Sequence, residues 1–397
     1  MLTDPNVPMN SKNSKSIAYI TPFDPRSYRR PYLVKRALPF ASIYYYRKIR
    51  DSNWLLCRVL RLNNRLSRVE LRIYQHTRSG GDALVTALVT DVLNKALLAR
   101  LKADTVITLN PFLGSRRIWG SRVIIIDWMD VHMWPWDELN LFDIEAVEEA
   151  DGVIFWSRPL LEIMKKRLKL RNYTYVPHGI DLGEFDPTKV NPKSFRNKYR
   201  LGDSFLVAYS GGVWSYRGVD LQGVRKVIEA VALASRQLPN LKLVLQLGRV
   251  DLDLIHFCKK LRVLDKTRII GPLPYSDPER LGLFAAADVL VAPNSAHPSV
   301  YYAERIKFFH YMAAGRAILA EKTPGAISVF GNTAYYVELD DVEALADAIV
   351  ELHDDCSLRN SLGKLARERV TSLFEWNVIA PRLKDFVNNI LKEQNSY

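Results

Sequence analysis

Three groups of residues have types and spacings that could do chemistry. The first lies between Pro293 and Glu321, where Glu304, Lys307 and His310 recur at helical spacing after an apolar run at 287–292. The second is Asp127-Trp-Met-Asp130, followed by His132, at the end of the apolar run 122–127. The third is Ser210-Gly-Gly-Val-Trp-Ser-Tyr-Arg-Gly218, a Gly-Gly turn with Arg217 behind the apolar run 205–209. A Lys one turn above a helix start reaches a bound phosphate, and the free N–H groups of that start favour the same anion. Arg clamps phosphate through two parallel N–H groups. Acids and a His at a strand's carboxyl end are where an α/β enzyme places polar ligands to its substrate. Plainer accounts stand beside these. Glu304 and Lys307 are also spaced as a surface pair, Asp130 as an Asx turn or helix cap, and Asp127 as a carboxylate paired with an Arg.

The elements that must position these groups follow from periodicity. Apolar runs at 16–21, 42–46, 69–74, 105–109, 122–127 and 152–156 predict strands in the first half, with helices over 28–38, 82–101, 141–150 and 159–169. Pro31 falls near a helix start, where its missing N–H costs nothing. The pattern restarts after 187, with strands at 205–209, 242–247, 267–271, 287–292 and 317–320. Helices are expected over 219–237, 251–262, 277–286, 341–353 and a final stretch from 374. The central stretch is expected to leave its strand through a loop closed by Pro298 and Ser299, then to run helically to Gly315. On that helix Ile306, Phe309, Met312 and Ala313 share one face, with Glu304, Lys307 and Tyr311 on another. Pro177 and Gly179 give a fixed bend beside a permissive one, which suits a hinge.

Several of these stretches carry a resemblance. Lys307-Phe-Phe-His-Tyr-Met-Ala-Ala-Gly-Arg-Ala-Ile-Leu-Ala320 resembles the donor-site helix of retaining glycosyltransferases of family four, which have the GT-B fold. Residues 173–187 resemble the segment by which such enzymes pass from first domain to second, with His178 for the usual Asn. Asp127-Trp-Met-Asp130 and the Arg30-Pro-Tyr-Leu-Val segment resemble one GT-B group, and 210–218 resembles the family's phosphate-binding turn. His310 stands where the family has the Glu that holds the ribose, and Tyr302 where many members have a second Glu.

The resemblance implies an α/β, GT-B architecture. Two doubly wound Rossmann-like domains would face each other across a cleft: 1–187 on the acceptor side and 188–373 for the nucleotide sugar, with the helix of about 374–397 packing back on the first. It implies transfer of a sugar from a nucleotide-diphosphate donor to an acceptor hydroxyl with retention, no metal and no cofactor, a UDP- or GDP-sugar being the expected donor. Arg217 and Lys307 would meet the diphosphate. Gly211, Gly212, Gly248, Pro272, Leu273, Tyr302, Ala303, Glu304 and His310 would contact the donor, and Asp127, Asp130 or His132 would orient the acceptor. A non-catalytic GT-B protein and a GT-B sugar-nucleotide epimerase remain as alternatives.

Composition narrows the partners. An apolar fraction of 48% with 25% charged residues describes a soluble globular chain, and the three cysteines have no metal-like spacing. The net charge of +13 comes entirely from residues 1–200, where 33 Lys/Arg face 20 Asp/Glu. Nothing resembles a nucleic-acid motif. The basic, aromatic-rich 26–50 region suits an anionic membrane surface or a lipid-linked glycan acceptor, and the expected location is cytoplasmic, peripheral at the inner face of a membrane.

Overall fold

The computed structural model describes residues 16–22, 28–48, 54–60, 71–74, 92, 94–95, 98, 101, 103–129, 141–216 and 218–394. Two sheets organise them. The first contains β1 (Ile17–Thr21), β2 (Ser42–Lys48), β3 (Trp54–Leu60), β4 (Leu71–Tyr74), β5 (Thr105–Leu109), β6 (Val123–Trp128), β7 (Gly152–Phe155) and β8 (Tyr173–Tyr175), in the order β4-β3-β2-β1-β5-β6-β7-β8. The six strands from β2 to β8 pair in parallel, whereas β3 and β4 extend the edge antiparallel. That antiparallel edge departs from the doubly wound expectation; its strand 71–74 falls inside the expected 69–74, and 54–60 carries no clear sequence period. All six residues of β6 are buried, as in a parallel strand covered by helices on both faces.

The second sheet has β9 (Phe205–Gly211), β12 (Leu241–Leu247), β13 (Thr267–Ile270), β14 (Val289–Ala292), β15 (Ala317–Glu321) and β16 (Tyr335–Val337), all parallel, in the order β13-β12-β9-β14-β15-β16. A two-stranded ribbon of β10 (Ser215–Tyr216) and β11 (Val219–Asp220) stands on the loop after β9. Strand order reverses at β9, so the crevice beyond the carboxyl ends of β9 and β14 is where a ligand of such a sheet binds.

The last helix, Trp376–Glu393, crosses back. Its Trp376, Ile379, Leu383, Val387 and Ile390 share one core with Tyr19, Ile107, Ile125 and Ile154 of the first sheet. Gly152 makes room for it: a Cβ there would lie 2.3 Å from Ile390 Cδ1. The outgoing and returning crossings are joined, because Ile180 N–H donates to Phe374 O at 3.0 Å and Trp376 N–H to Ile180 O at 2.9 Å. Gly179, at φ +60°, lies against the same carbonyl.

Three local differences have physical causes. The helix expected over 219–237 is confined to Val224–Ala234, because Gly223 takes a left-handed φ of +69° and 219–220 pair as β11. The loop closed by Pro298 and Ser299 and the single helix expected after it to Gly315 are instead two helices, Pro298–Tyr301 and Ile306–Ala313, with 302–305 between them. The second of these has no solvent face: Lys307 through Ala313 are all buried, so the two-faced reading of this helix is replaced by burial all round. The helices Pro324–Phe330 and Cys356–Leu373 were not expected; Asp355 caps the second of these, and Asp341 caps Val342–Asp354.

Candidate functional site

A cavity of about 400 Å³ lies between the two sheets. Tyr28, Met129 and Trp156 line it from the first. From the second come Ser210 and Gly211 at the end of β9, Gly212, Trp214 and Gln222 after it, then Arg280, Ser299, Val300, Ala303 to Lys307, and His310. It therefore opens at the switch point of the second sheet.

The break at 302–305 shapes its floor. Gly325 lies so close to this turn that a Cβ would sit 2.2 Å from Ala303 O. Glu304, 5% exposed, collects three donors: Arg158 N–H at 3.0 Å and Ser328 Oγ at 2.6 Å on one oxygen, and the Tyr175 hydroxyl at 2.5 Å on the other. Arg158 and Tyr175 belong to the first sheet's side and Ser328 to the second's. Beside it Ser157 Oγ donates to Tyr302 O at 2.5 Å. Burial pushes the Glu304 carboxyl up to about 7, against the pull of these hydrogen bonds.

Releasing the chain into a second helix start places two cations over the floor. Arg305, at the N-cap, donates from Nη2 to Leu221 O at 2.7 Å and from Nη1 to Pro293 O and Gln222 Oε1 at 3.3 Å. Lys307, in the first turn, has Nζ 3.2 Å from Gln222 Oε1 and 3.4 Å from the Tyr209 hydroxyl, over whose ring it sits. Burial lowers the Lys307 ammonium well below its usual range, with Arg305 adding to the effect, and holds Arg305 down to about 10. Neither cation forms an ion pair among the described residues, and a buried charge without a counterion is costly. An incoming anion relieves that cost.

His310 continues the same face one turn on. Its ring stacks on Phe185 at 4.4 Å and meets Tyr275 edge-on, and its Nδ1 faces Arg280 Nη2 at 3.5 Å. Burial, then the Arg280 charge, lowers its pKa well below the usual value, so the ring is neutral. Arg280 and Arg305 carry no sequence signal of their own beyond being basic; the break that brings Arg305 in is invisible because helical spacing continues through it.

The expected site residues divide clearly. Lys307, His310, Ala303, Gly211 and Gly212 line the cavity together. Glu304 lines it too, but both its oxygens are already engaged. Tyr302 is held at its backbone carbonyl and does not line the cavity. Gly248, Pro272 and Leu273 also lie outside it: Gly248 N–H donates to Gly211 O, and Leu273 packs on the core. Of the two accounts of Asp127, the structure bears out the carboxylate paired with an Arg and corrects the acceptor-orienting role. It is fully buried and takes four hydrogen bonds, from Arg30 Nε (2.9 Å) and Nη2 (2.7 Å), the Tyr19 hydroxyl (2.9 Å) and Trp156 Nε1 (2.6 Å). With Arg30 Nη1 also on Pro177 O at 2.7 Å, this pair ties the first sheet to the linker and leaves Asp127 no lone pair for an acceptor hydroxyl. Asp130, His132 and Arg217 lie outside the described residues.

Comparisons with known proteins agree with this geometry. Residues 206–355 match the family model of glycosyl transferases group 1. A GDP-mannose-dependent alpha-(1-6)-phosphatidylinositol monomannoside mannosyltransferase of Mycobacterium tuberculosis is 28% identical over 221 residues, 54% of this chain and 55% of that protein. The chain spans about half the length of the first curated relatives it matches. Among solved structures, sucrose-phosphate synthase from Thermosynechococcus elongatus superposes with a TM-score of 0.68 at 19% identity, covering 96% of this chain and all of that one. Anabaena HepE in complex with UDP-glucose gives 0.66 at 13%, covering 97% and 100%. These likenesses establish the GT-B fold.

Proposed function

We propose that this chain, a GT-B protein whose residues 206–355 are those of a group 1 glycosyl transferase, moves a sugar from a nucleotide-diphosphate donor to an acceptor hydroxyl. The observation that carries the reading is the unpaired buried cation pair Lys307 and Arg305 at the switch point of the second sheet. A diphosphate supplies the missing counterion. As the bond between the anomeric carbon and the phosphate oxygen breaks, charge grows on the leaving diphosphate, and fixed cations in a water-poor cavity stabilise that growth without reorganising. Lys307 and Arg305 take this role, and Arg217 of the 210–218 segment would add a further basic group. Gly211 and Gly212 let backbone approach the ligand, and Gln222 orients both cations.

The family likeness supports retention of anomeric configuration, and attack on the face the leaving group vacates, assisted by a donor phosphate oxygen, fits a cavity with no disposable carboxylate among the described residues. With Asp127 committed to Arg30, the acceptor-orienting group falls to Asp130 or His132. Relatives named for a phosphatidylinositol mannoside support a lipid-linked or glycan acceptor for this chain, approached from the basic first half at an anionic membrane surface. No helix among the described residues is long and apolar enough to cross a membrane.

The test is a thermal-shift and hydrolysis screen against UDP-, GDP-, ADP- and dTDP-sugars, with Lys307→Ala and Arg305→Ala alongside. Stabilisation by one nucleotide class, lost in both variants, is the expected result. A protein that no nucleotide stabilises is not a nucleotide-sugar transferase. Flotation with anionic liposomes tests the membrane reading, which no binding at low salt removes.

A further inference from the structure

The two sides of the cavity differ in chemistry. Among the described residues, every charged lining group comes from the second sheet: Arg280, Glu304, Arg305 and Lys307. The first sheet supplies Tyr28, Met129 and Trp156, none of which carries a charge. These three follow β1, β6 and β7, so they stand at the carboxyl edge of the first sheet, the side from which the acceptor is expected.

This uncharged wall is held in place from behind. Trp156 Nε1 donates to Asp127 Oδ1 at 2.6 Å, and the Arg30 guanidinium, itself clamped by Asp127, lies 4.6 Å from the indole centroid. The Tyr28 ring stacks on Trp156 with 6.0 Å between centroids and 21° between planes. Its hydroxyl meets Met129 Sδ, and Met129 N–H donates to Asn110 Oδ1 at 3.0 Å. His178 packs on the Tyr28 and Trp156 rings at 5.6 and 5.3 Å, and burial lowers its pKa to about 3, so it too is neutral. Trp156 is 2% exposed, whereas Tyr28 is only half-buried and keeps ring surface open to the cavity. The Asp127 and Arg30 pair thus also fixes the indole on which Tyr28 rests.

Three requirements define what such a wall receives. The group seated here must offer a hydroxyl to the donor's anomeric carbon, which an acyl chain does not. It must be uncharged: no described lining group of the first sheet pairs a phosphate, Arg30 is spent on Asp127 and Pro177 O, and the donor diphosphate takes Lys307 and Arg305. It must also bring an apolar face, because an aromatic ring open to the cavity is covered by C–H groups. A pyranose meets all three, with hydroxyls around its rim and axial C–H groups that pack on the electron-rich face of an aromatic ring.

We infer that the reacting unit of the acceptor is an uncharged pyranose whose C–H face packs on Tyr28. This rests on the transferase reading above and narrows its acceptor to one that ends in a neutral sugar.

The experiment is saturation-transfer NMR with dissociation constants by titration, on the full chain with and without UDP or GDP. The neutral probes are methyl α-D-mannopyranoside and methyl α-D-glucopyranoside; the charged ones are mannose 6-phosphate, glucose 6-phosphate and myo-inositol 1-phosphate. At least one neutral glycoside is expected to bind about tenfold more tightly than the charged probes, with saturation strongest on the ring C–H protons of one face. Tyr28→Ala is expected to weaken that glycoside by about tenfold while moving the dissociation constant of UDP or GDP by less than about twofold. Tyr28→Leu, apolar but without a ring, gives the same reading should the smaller side chain unfold the wall, and ligand-free melting curves confirm that each variant is folded. Tyr28→Phe, which keeps the ring, is expected to hold most of the glycoside affinity. A parent that binds no neutral glycoside, or prefers a phosphorylated probe, overturns the inference. So does a Tyr28→Ala variant that loses nucleotide and glycoside equally, since the wall then belongs to the donor. Glycoside binding in a protein that takes neither UDP nor GDP overturns the transferase reading, and the acceptor role with it, and leaves a plain sugar site.

Discussion

Replacing Glu304 with Gln isolates the charge of the group that ties the two sheets together. Burial raises its carboxyl from an ordinary 4.5 to about 7. The folded protein therefore holds this proton more tightly than the unfolded chain does. The group's contribution weakens the fold progressively as pH rises from about 4.5 to about 7, and the full penalty persists above that. At about 1.4 kcal/mol per pKa unit, that penalty is on the order of 3 kcal/mol. Glu304→Gln keeps the shape and an acceptor for Arg158 N–H and Ser328 Oγ, while the Tyr175 hydroxyl turns to accept from the new amide. The stability difference between variant and parent should therefore grow in the variant's favour by about 3 kcal/mol between about pH 5 and about pH 8. The histidines act with the opposite sign: burial lowers His178 to about 3 and also lowers His297 and His310, so they withdraw stability as pH falls below about 6.5. They are common to both proteins and cancel in the difference. Guanidinium unfolding of both across this range is the assay. A difference that stays constant with pH refutes the reasoning.

Lys307→Met removes a buried cation that has no counterion and should raise ligand-free stability by about 1–2 kcal/mol while abolishing nucleotide binding, as thermal melts with and without UDP or GDP will read. Asp127→Ala strands Arg30 without its carboxylate and should cost about 3–5 kcal/mol in chemical denaturation. Gly325→Ala meets a backbone carbonyl, so relief requires the 302–305 turn to move; it should cost about 1–3 kcal/mol and weaken nucleotide binding together. Gly212→Ala meets only the Trp214 indole, a side chain 64% exposed that can swing away, so its melting point should change little.

Much of the fold was legible because parallel strands buried on both faces are written as apolar runs. The run Ile124, Ile125, Ile126 is unambiguous, and so are β9, β12 and β15. The site was half legible. Lys307 and His310 stand out because they recur one turn apart after a strand, and Gly211-Gly212 because two glycines follow another. Arg305 did not, since nothing in the spacing of 298–315 signals that the helix stops and restarts; the cause is the contact with Gly325, distant in sequence. Asp127 was open for the opposite reason. An acid at the end of a central strand has the right place for catalysis and equally for pairing with an Arg, and the fold decides for the second by bringing Arg30, Tyr19 and Trp156 from three other segments. Helix Cys356–Leu373 was missed because its apolar residues are sparse, with Leu362, Ala366 and Val370 buried among many charged neighbours.

The returning helix Trp376–Glu393 also sets the order of events on the ribosome. Chains ordinarily complete their domains from the amino end as they emerge. Here the core around Tyr19, Ile107, Ile125 and Ile154 lacks one wall until Trp376–Glu393 has emerged, whereas the second sheet has all its strands and its flanking helices by Leu373. The sheet made first is thus closed after the second, and until that helix emerges its apolar face stays uncovered. A chain stopped at Leu373 should bind a hydrophobic dye through its first half while its second half resists proteolysis.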